Sequence, residues 1–239
     1  MMGTLLDDVV EAAGGRDRWT ATRSVSADAV SGGELLDRKA PQDPQTRRIT
    51  ASAHEQRALT VPAGGPDRRV NFHSDRVAIE DLEGRFVADQ YGVEETFEGH
   101  TLDTPWTPFQ RAHFGGYAMW NYLTTPFTLT FPGVQTWEIE PLEEEGETWR
   151  GLRAVMPSRF VTHSRAQEFY FGPDLLLRRH DYTVDIAGGF RAANYASEHV
   201  EVDGLIIPGK RRAYMCDKNY RVLRDRLMIW IDFSDFSTD

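Results

Sequence analysis

The stretch Thr104–Phe127 reads TPWTPFQRAHFGGYAMWNYLTTPF, and its reading decides the architecture. Thr104-Pro105 and Thr107-Pro108 each offer an N-cap followed by proline at the first helical position. Pro126 ends the run. The spacing predicts a helix over about residues 106–124. Phe109, Ala112, Gly116, Trp120 and Leu123 recur at i+3/i+4 along one face. Gln110, His113, Tyr117 and Asn121 follow an adjacent face at the same spacing. Phe114, Met119 and Tyr122 surround the remainder with rings and sulfur. A helix apolar on most sides is buried. Its polar stripe must therefore meet protein, water or a ligand. Gly115-Gly116 costs roughly 1–2 kcal/mol of helix propensity, so the pair needs a packing, kink or ligand-approach reason.

Outward from this helix, almost everything reads as strand. Arg76–Glu80 and Arg85–Tyr91 flank Glu83-Gly84, a hairpin signal. Val134–Leu142 and Thr148–Met156 flank an acidic turn ending in Gly146. Arg165–Phe171 and Leu175–Val184 flank Gly172-Pro173-Asp174. Asn194–Val202, Gly209–Cys216 and Leu227–Phe233 follow, and Arg47–Val61 is a further polar, β-branched stretch. Only Thr4–Ala13 adds a second helix, closed by Gly14-Gly15. Strands at meander spacing without alternating helices exclude a Rossmann-type sheet. The expectation is a mainly β (α+β) fold. It is an open antiparallel β-barrel or strongly curved sheet of about 10–12 strands, with an inserted aromatic helix, in one domain over residues 1–239.

Composition narrows the function classes. Of 239 residues, 27 are basic and 37 acidic, a net charge of −10 that disfavours nucleic acid or an anionic membrane as main partner. One cysteine, Cys216, excludes an internal disulfide framework. Eleven of the 27 Phe, Tyr and Trp residues fall between Tyr91 and Trp137. No run approaches the roughly 18 apolar residues of a membrane span. The N-terminal MMGTLLDDVVEAAGG has no basic region, long apolar core or cleavage site, and predicts a cytoplasmic protein. Seven scattered histidines show no HxH or HExxH spacing, so no metal is expected. With no GxGxxG after a strand, no Walker loop and no GxSxG elbow, no cofactor is expected either.

Four blocks, EAAGGRDRW from Glu11, GYAMWNYLTTPF from Gly116, GETWRGLR from Gly146 and RRHDYTVDIAGG from Arg178, resemble a family of uncharacterised bacterial proteins. The order short helix, strands, helix, strands and the Gly-Gly-x-x-x-Trp start more distantly resemble the LolA/LolB lipoprotein-carrier superfamily. That resemblance implies an open antiparallel barrel around an apolar cavity under a helical lid. The chain departs from those carriers in lacking a signal peptide. The same architecture serves a cofactor-free biosynthetic enzyme, so fold leaves carrier and enzyme both open.

Two places carry candidate chemistry. On the helix, His113, Tyr117 and Asn121 either project into a cavity as base, donor and amide, or form a solvated outer face or polar tips satisfied by strand backbone. In the hairpin Arg165–Val184, pairing Phe171 with Leu175 puts Gln167 opposite Arg179 and Glu168 opposite Arg178. One face then presents Arg165, Asp181 and Asp185, the other Tyr170, His180 and Tyr182. A one-residue bulge reverses the faces. Histidine beside tyrosine in an apolar pocket suits proton transfer near neutrality. The candidate catalytic residues are therefore His113, Tyr117, His180 and Tyr182. The candidate ligand contacts are Phe109, Gln110, Trp120, Asn121 and Tyr170. Lys210-Arg211-Arg212 reads as an edge-strand guard, and Trp137, Trp149 and Trp230 read as core.

The expected function is binding of a bulky, largely apolar small molecule in the barrel, followed by cofactor-independent cyclisation or isomerisation in polyketide-like metabolism. The alternative is a non-catalytic carrier or sensor of a lipid or other hydrophobic ligand. The partner is that ligand, and the protein is a monomer or homodimer.

Overall fold

A computed structural model describes residues 3–239. Thr4 caps α1 (Leu5–Ala12) through a reciprocal pair with Asp7, and Leu5, Val9 and Val10 turn inward. Gly14 follows at φ +123°, where a Cβ would lie 2.4 Å from the carbonyl of Gly204. This close approach explains why the Gly-Gly pair ends the helix against a strand turn. Next come α2 (Arg16–Ala21), β1 (Ser24–Gly32) and α3 (Glu34–Lys39). The first meander continues as β2 (Arg47–Ser52), β3 (Arg57–Val61), β4 (Arg68–His73), β5 (Arg76–Asp81) and β6 (Phe86–Tyr91). After the long helix α4 (Pro108–Thr124), the second meander runs through β7 (Gln135–Glu144), β8 (Glu147–Val155), β9 (Ala166–Phe171) and β10 (Leu177–Val184). It ends with β11 (Phe190–Val202), β12 (Leu205–Cys216) and β13 (Val222–Thr238).

All thirteen strands form one antiparallel sheet, ordered β6-β5-β4-β3-β2-β1-β13-β12-β11-β10-β9-β8-β7. Every neighbour is a sequence neighbour except at the β1–β13 seam. The free edges, β6 and β7, are consecutive strands left unpaired with each other, so the sheet is an open curve rather than a closed barrel. The segment joining them carries α4 across the concave face. Small side chains on that face (Ala27, Ala29, Ala51, Ala53 and Ala58) are buried and let the helix lie close to β1–β4. Phe72, Tyr117, Tyr122 and Leu123 fill the interior, each fully buried apolar side chain contributing about 1.5–3 kcal/mol.

The strand count exceeds the 10–12 expected for identifiable reasons. Arg47–Val61 is two strands, broken at residues 53–56. Strand β1 alternates small residues, and β4 carries arginines and asparagine, so both lack the β-branched signal. The short helices α2 and α3 also escape sequence periodicity.

Three local expectations are corrected. The β9–β10 hairpin pairs Phe171 with Leu177, Tyr170 with Arg179, Phe169 with His180 and Glu168 with Asp181, with a bulge at Arg178. The extra residue swaps the partners, placing Gln167 by His180 and Arg179 by Tyr170. Arg211 is no edge guard. Strand β12 is central, and this side chain is fully buried. Trp149 is core, but Trp137 on edge strand β7 is 46% exposed.

Candidate functional site

Helix α4 starts where the sequence permits its tightest cap. Thr107 Oγ1 accepts from the Gln110 backbone N–H, and Gln110 Oε1 accepts from the Thr107 N–H. Pro108 occupies the first turn. Gln110 Nε2 also donates to the Thr96 carbonyl and hydroxyl, at 3.1 and 2.9 Å. The amide is thus consumed in anchoring the helix. Phe109 packs half-buried against the core cluster.

The stripe that follows faces a sealed polar cluster. Tyr117 Oη lies 3.3 Å from His163 Nδ1, and Tyr122 Oη lies 3.1 Å from His163 Nε2. A neutral imidazole accepts at one of these nitrogens and donates at the other. Tyr122 Oη is also 3.0 Å from Tyr182 Oη, which accepts from Asn194 Nδ2 at 3.3 Å. The His163 and Tyr182 rings stack at 4.0 Å. His180 stacks on Phe169 at 4.1 Å, and its Nε2 lies 2.5 Å from Gln167 Oε1. The structure therefore gathers Tyr117, His180 and Tyr182 with His163, Tyr122, Asn194 and Gln167, which sequence reasoning did not single out. His163 stands outside any strand, so no alternation pattern points to it.

His113 stands apart from that hydrogen-bonded set. Its ring meets Phe72, Phe97 and Tyr117 edges, and its Nε2 has no partner among the described residues. Burial pushes His113 down to about 4 and His163 to about 3, and holds His180 well below its ordinary value. Burial raises the Tyr117 and Tyr182 phenols. All these groups are neutral near pH 7, and each is at most 3% exposed. Arg211 closes the cluster. Its guanidinium sits 5.0 Å over the Tyr122 ring, and Nη2 donates to the Tyr122 carbonyl at the C-terminal end of α4. A 10 Å³ void adjoins this region, beside Trp120 and Asn121. Trp120 Nε1 donates to the Ser52 carbonyl at 2.9 Å, and Asn121 Oδ1 accepts from Thr125. Tyr170 lies on the other side of the sheet, with its hydroxyl 3.3 Å from Glu168.

The accessible cavity is on the opposite side of α4. At about 100° per residue, Arg111, Gly115 and Met119 form a row facing away from His113, Tyr117 and Asn121. That row, with Ala112 and Gly116, walls a cavity of 580 Å³ against β1–β4. Its floor is apolar and buried: Ile49, Val70 and Trp106. Its mouth lies among exposed residues of the 41–45 loop, the Gly64-Gly65-Pro66 turn and Thr107-Pro108. Lys39 shapes this rim, donating through Nζ to the carbonyls of Thr101 and Thr104 beneath Trp106. The size falls within the roughly 300–1,000 Å³ of small-molecule sites. A smaller recess of 160 Å³ adjoins it and includes Trp230, Asp37 and Leu36. None of the nine candidate residues lines the large cavity. Among the sequence signals that reach it are the Thr107-Pro108 cap and Gly115-Gly116. A Cβ on Gly116 would fall 2.3 Å from Phe72, so this glycine lets helix and sheet meet at the cavity wall.

No protein-family model and no curated protein matches the chain. Solved structures do share its fold. A DUF1329 family protein from Desulfovibrio piger is 12% identical, covering 98% of this chain and 92% of that one, with TM-score 0.55. A LolA superfamily protein from Nitrosomonas europaea is 11% identical over 98% and 93%, with TM-score 0.53. A structure described as an outer membrane lipoprotein-sorting protein domain, from Vibrio parahaemolyticus, is 8% identical over 98% and 91%, with TM-score 0.55. At these identities the likeness concerns the fold alone, here an open antiparallel sheet with a helix packed on it.

Proposed function

We propose that this protein binds and carries a largely apolar small molecule in the cavity between α4 and β1–β4. The carrying observation is the separation of hollow from chemistry. The 580 Å³ cavity has an apolar floor and an open mouth, and its titratable lining is Asp43, Arg47 and Arg111. The histidine and tyrosine cluster lies across the helix in a sealed interior. A cyclase or isomerase built on that histidine and tyrosine set would need it within reach of the substrate, so the binding role draws the stronger support. The LolA-like fold favours the same role, since one neighbour is described as sorting lipoproteins.

Fluorescence titration with the neutral probe N-phenyl-naphthylamine tests this. Wild type is expected to saturate, and Ala112→Trp, which fills the cavity beside the helix, is expected to weaken binding at least about tenfold. Undiminished binding by a folded Ala112→Trp protein would refute the site. Mass spectrometry of the ligand after incubation would refute a carrier role if the molecule returned altered.

A further inference from the structure

Two arginines in the cavity lining have no carboxylate paired to them, although Asp43 shares the wall. Arg47 enters from β2 and Arg111 from α4, and both line the large cavity and the smaller recess, so they stand where the two hollows join. Among the described residues, neither guanidinium lies within ion-pairing distance of a carboxylate. Arg47 Nη2 donates to Gln42 Oε1 at 3.0 Å. Arg111 Nε is buried and has no acceptor. Asp43 in the cavity wall and Asp37 in the recess complete the charged lining. Elsewhere in this acid-rich chain many arginines are matched, the buried Arg211 being one that is not. Arg48 pairs with Asp28, Arg226 with Glu34, and Arg179 with Asp181 at 2.7 Å. Burial and the proximity of Arg47 together push Arg111 down to about 10. Two like charges converging in a half-buried space are destabilising unless an anion joins them. Gly115 adds room for this, since a Cβ there would stand 3.2 Å from Arg111 Nη1.

We infer that the ligand is an anionic amphiphile whose apolar body lies on Ile49, Val70 and Trp106 and whose carboxylate or phosphate head docks on Arg47 and Arg111. This rests on the binding role proposed above and specifies the ligand's chemistry. Planar guanidinium forks match both head groups bidentately. The apolar floor accounts for the remainder of the molecule, which a free anion would leave unsatisfied.

Isothermal titration with dodecanoate, dodecyl phosphate, dodecanol and inorganic phosphate, each below its aggregation threshold, tests the assignment. Wild type is expected to bind dodecanoate or dodecyl phosphate at least about tenfold more tightly than dodecanol, since hydrogen bonds to charged groups are stronger than neutral ones. The tighter of the two identifies the head group. Arg111→Gln and Arg47→Gln should each erase that preference, bringing the affinity for the anionic amphiphile down to that for dodecanol. Arg111→Lys should restore part of it, which separates loss of charge from loss of fold. Equal affinity for dodecanol and both anionic amphiphiles in wild type would overturn the head-group assignment while the cavity stands. Inorganic phosphate binding as tightly as dodecyl phosphate would overturn it in favour of a free-anion site. Failure of every amphiphile to bind, with Ala112→Trp indistinguishable from wild type, would remove the cavity role itself.

Discussion

Gly115 and Gly116 are adjacent in one helix, yet replacing each by alanine should move stability in opposite directions. Alanine gains about 0.8–1 kcal/mol over glycine in a helix interior. At Gly115 the new Cβ meets only the tip of Arg111, Nη1 at 3.2 Å, which can swing aside. Gly115→Ala is therefore expected to stabilise the protein by about 0.5–1 kcal/mol. At Gly116 the Cβ would fall 2.3 Å from Phe72 Cγ and 2.4 Å from its Cβ. Phe72 is fully buried in β4, so ring, strand or helix must shift. Overpacking of this kind costs about 1–3 kcal/mol. Less the propensity gain, Gly116→Ala should destabilise by about 0–2 kcal/mol. Urea unfolding followed by circular dichroism reads the difference as opposite shifts in midpoint at unchanged slope. A Gly116→Ala protein as stable as Gly115→Ala would refute the close packing of α4 on β4.

Two further outcomes follow from the buried groups. His113, His163 and His180 are neutral when folded, with values depressed to about 4, to about 3 and well below the ordinary range. The unfolded chain binds these protons first, below about pH 6.5. Stability is thus full above that pH and falls as the pH drops toward the folded values, by about 1.4 kcal/mol per pH unit for each histidine. Thermal unfolding between pH 7 and 5, above most carboxylate titration, checks this, and a flat profile would contradict it. Thr107→Ala removes the N-cap acceptor of α4 and should cost about 1 kcal/mol, read as a lower melting temperature, with Thr107→Ser restoring it.

The fold was legible because its signals are local. Thr107-Pro108 and Pro126 bound α4, and turn residues such as Gly146 and Gly172-Pro173-Asp174 separate strands of clear β-branched or aromatic character. Legibility failed where side chains are small or charged. Ser24–Gly32 and Arg68–His73 pair by register with neighbours that no local pattern reveals. The candidate site was harder to read for a physical reason. Aromatic and titratable residues dominate the sequence of α4, so attention falls on His113, Tyr117 and Asn121. In the folded protein that richness builds the solid interior. The hollow is made by what is absent, namely side-chain volume at Gly115 and Ala112, together with Arg47 brought from 64 positions away in the sequence to meet Arg111. Neither the Lys39–Thr104 tie nor the position of the 41–45 loop leaves any trace in periodicity.

The β1–β13 seam has a kinetic consequence. Each meander assembles from neighbours in sequence, but the seam joins Val25 to Thr238. Such pairing bears the largest loop-closure entropy in the molecule and adds strongly to contact order. The seam is therefore expected to close last, after both meanders have formed. The large cavity is lined by residues 31–119 alone, from the first meander, α4 and the segment leading into α4. Its walls can thus gather before the chain's last strand docks, and an early-bound ligand would act as a template that hastens closure.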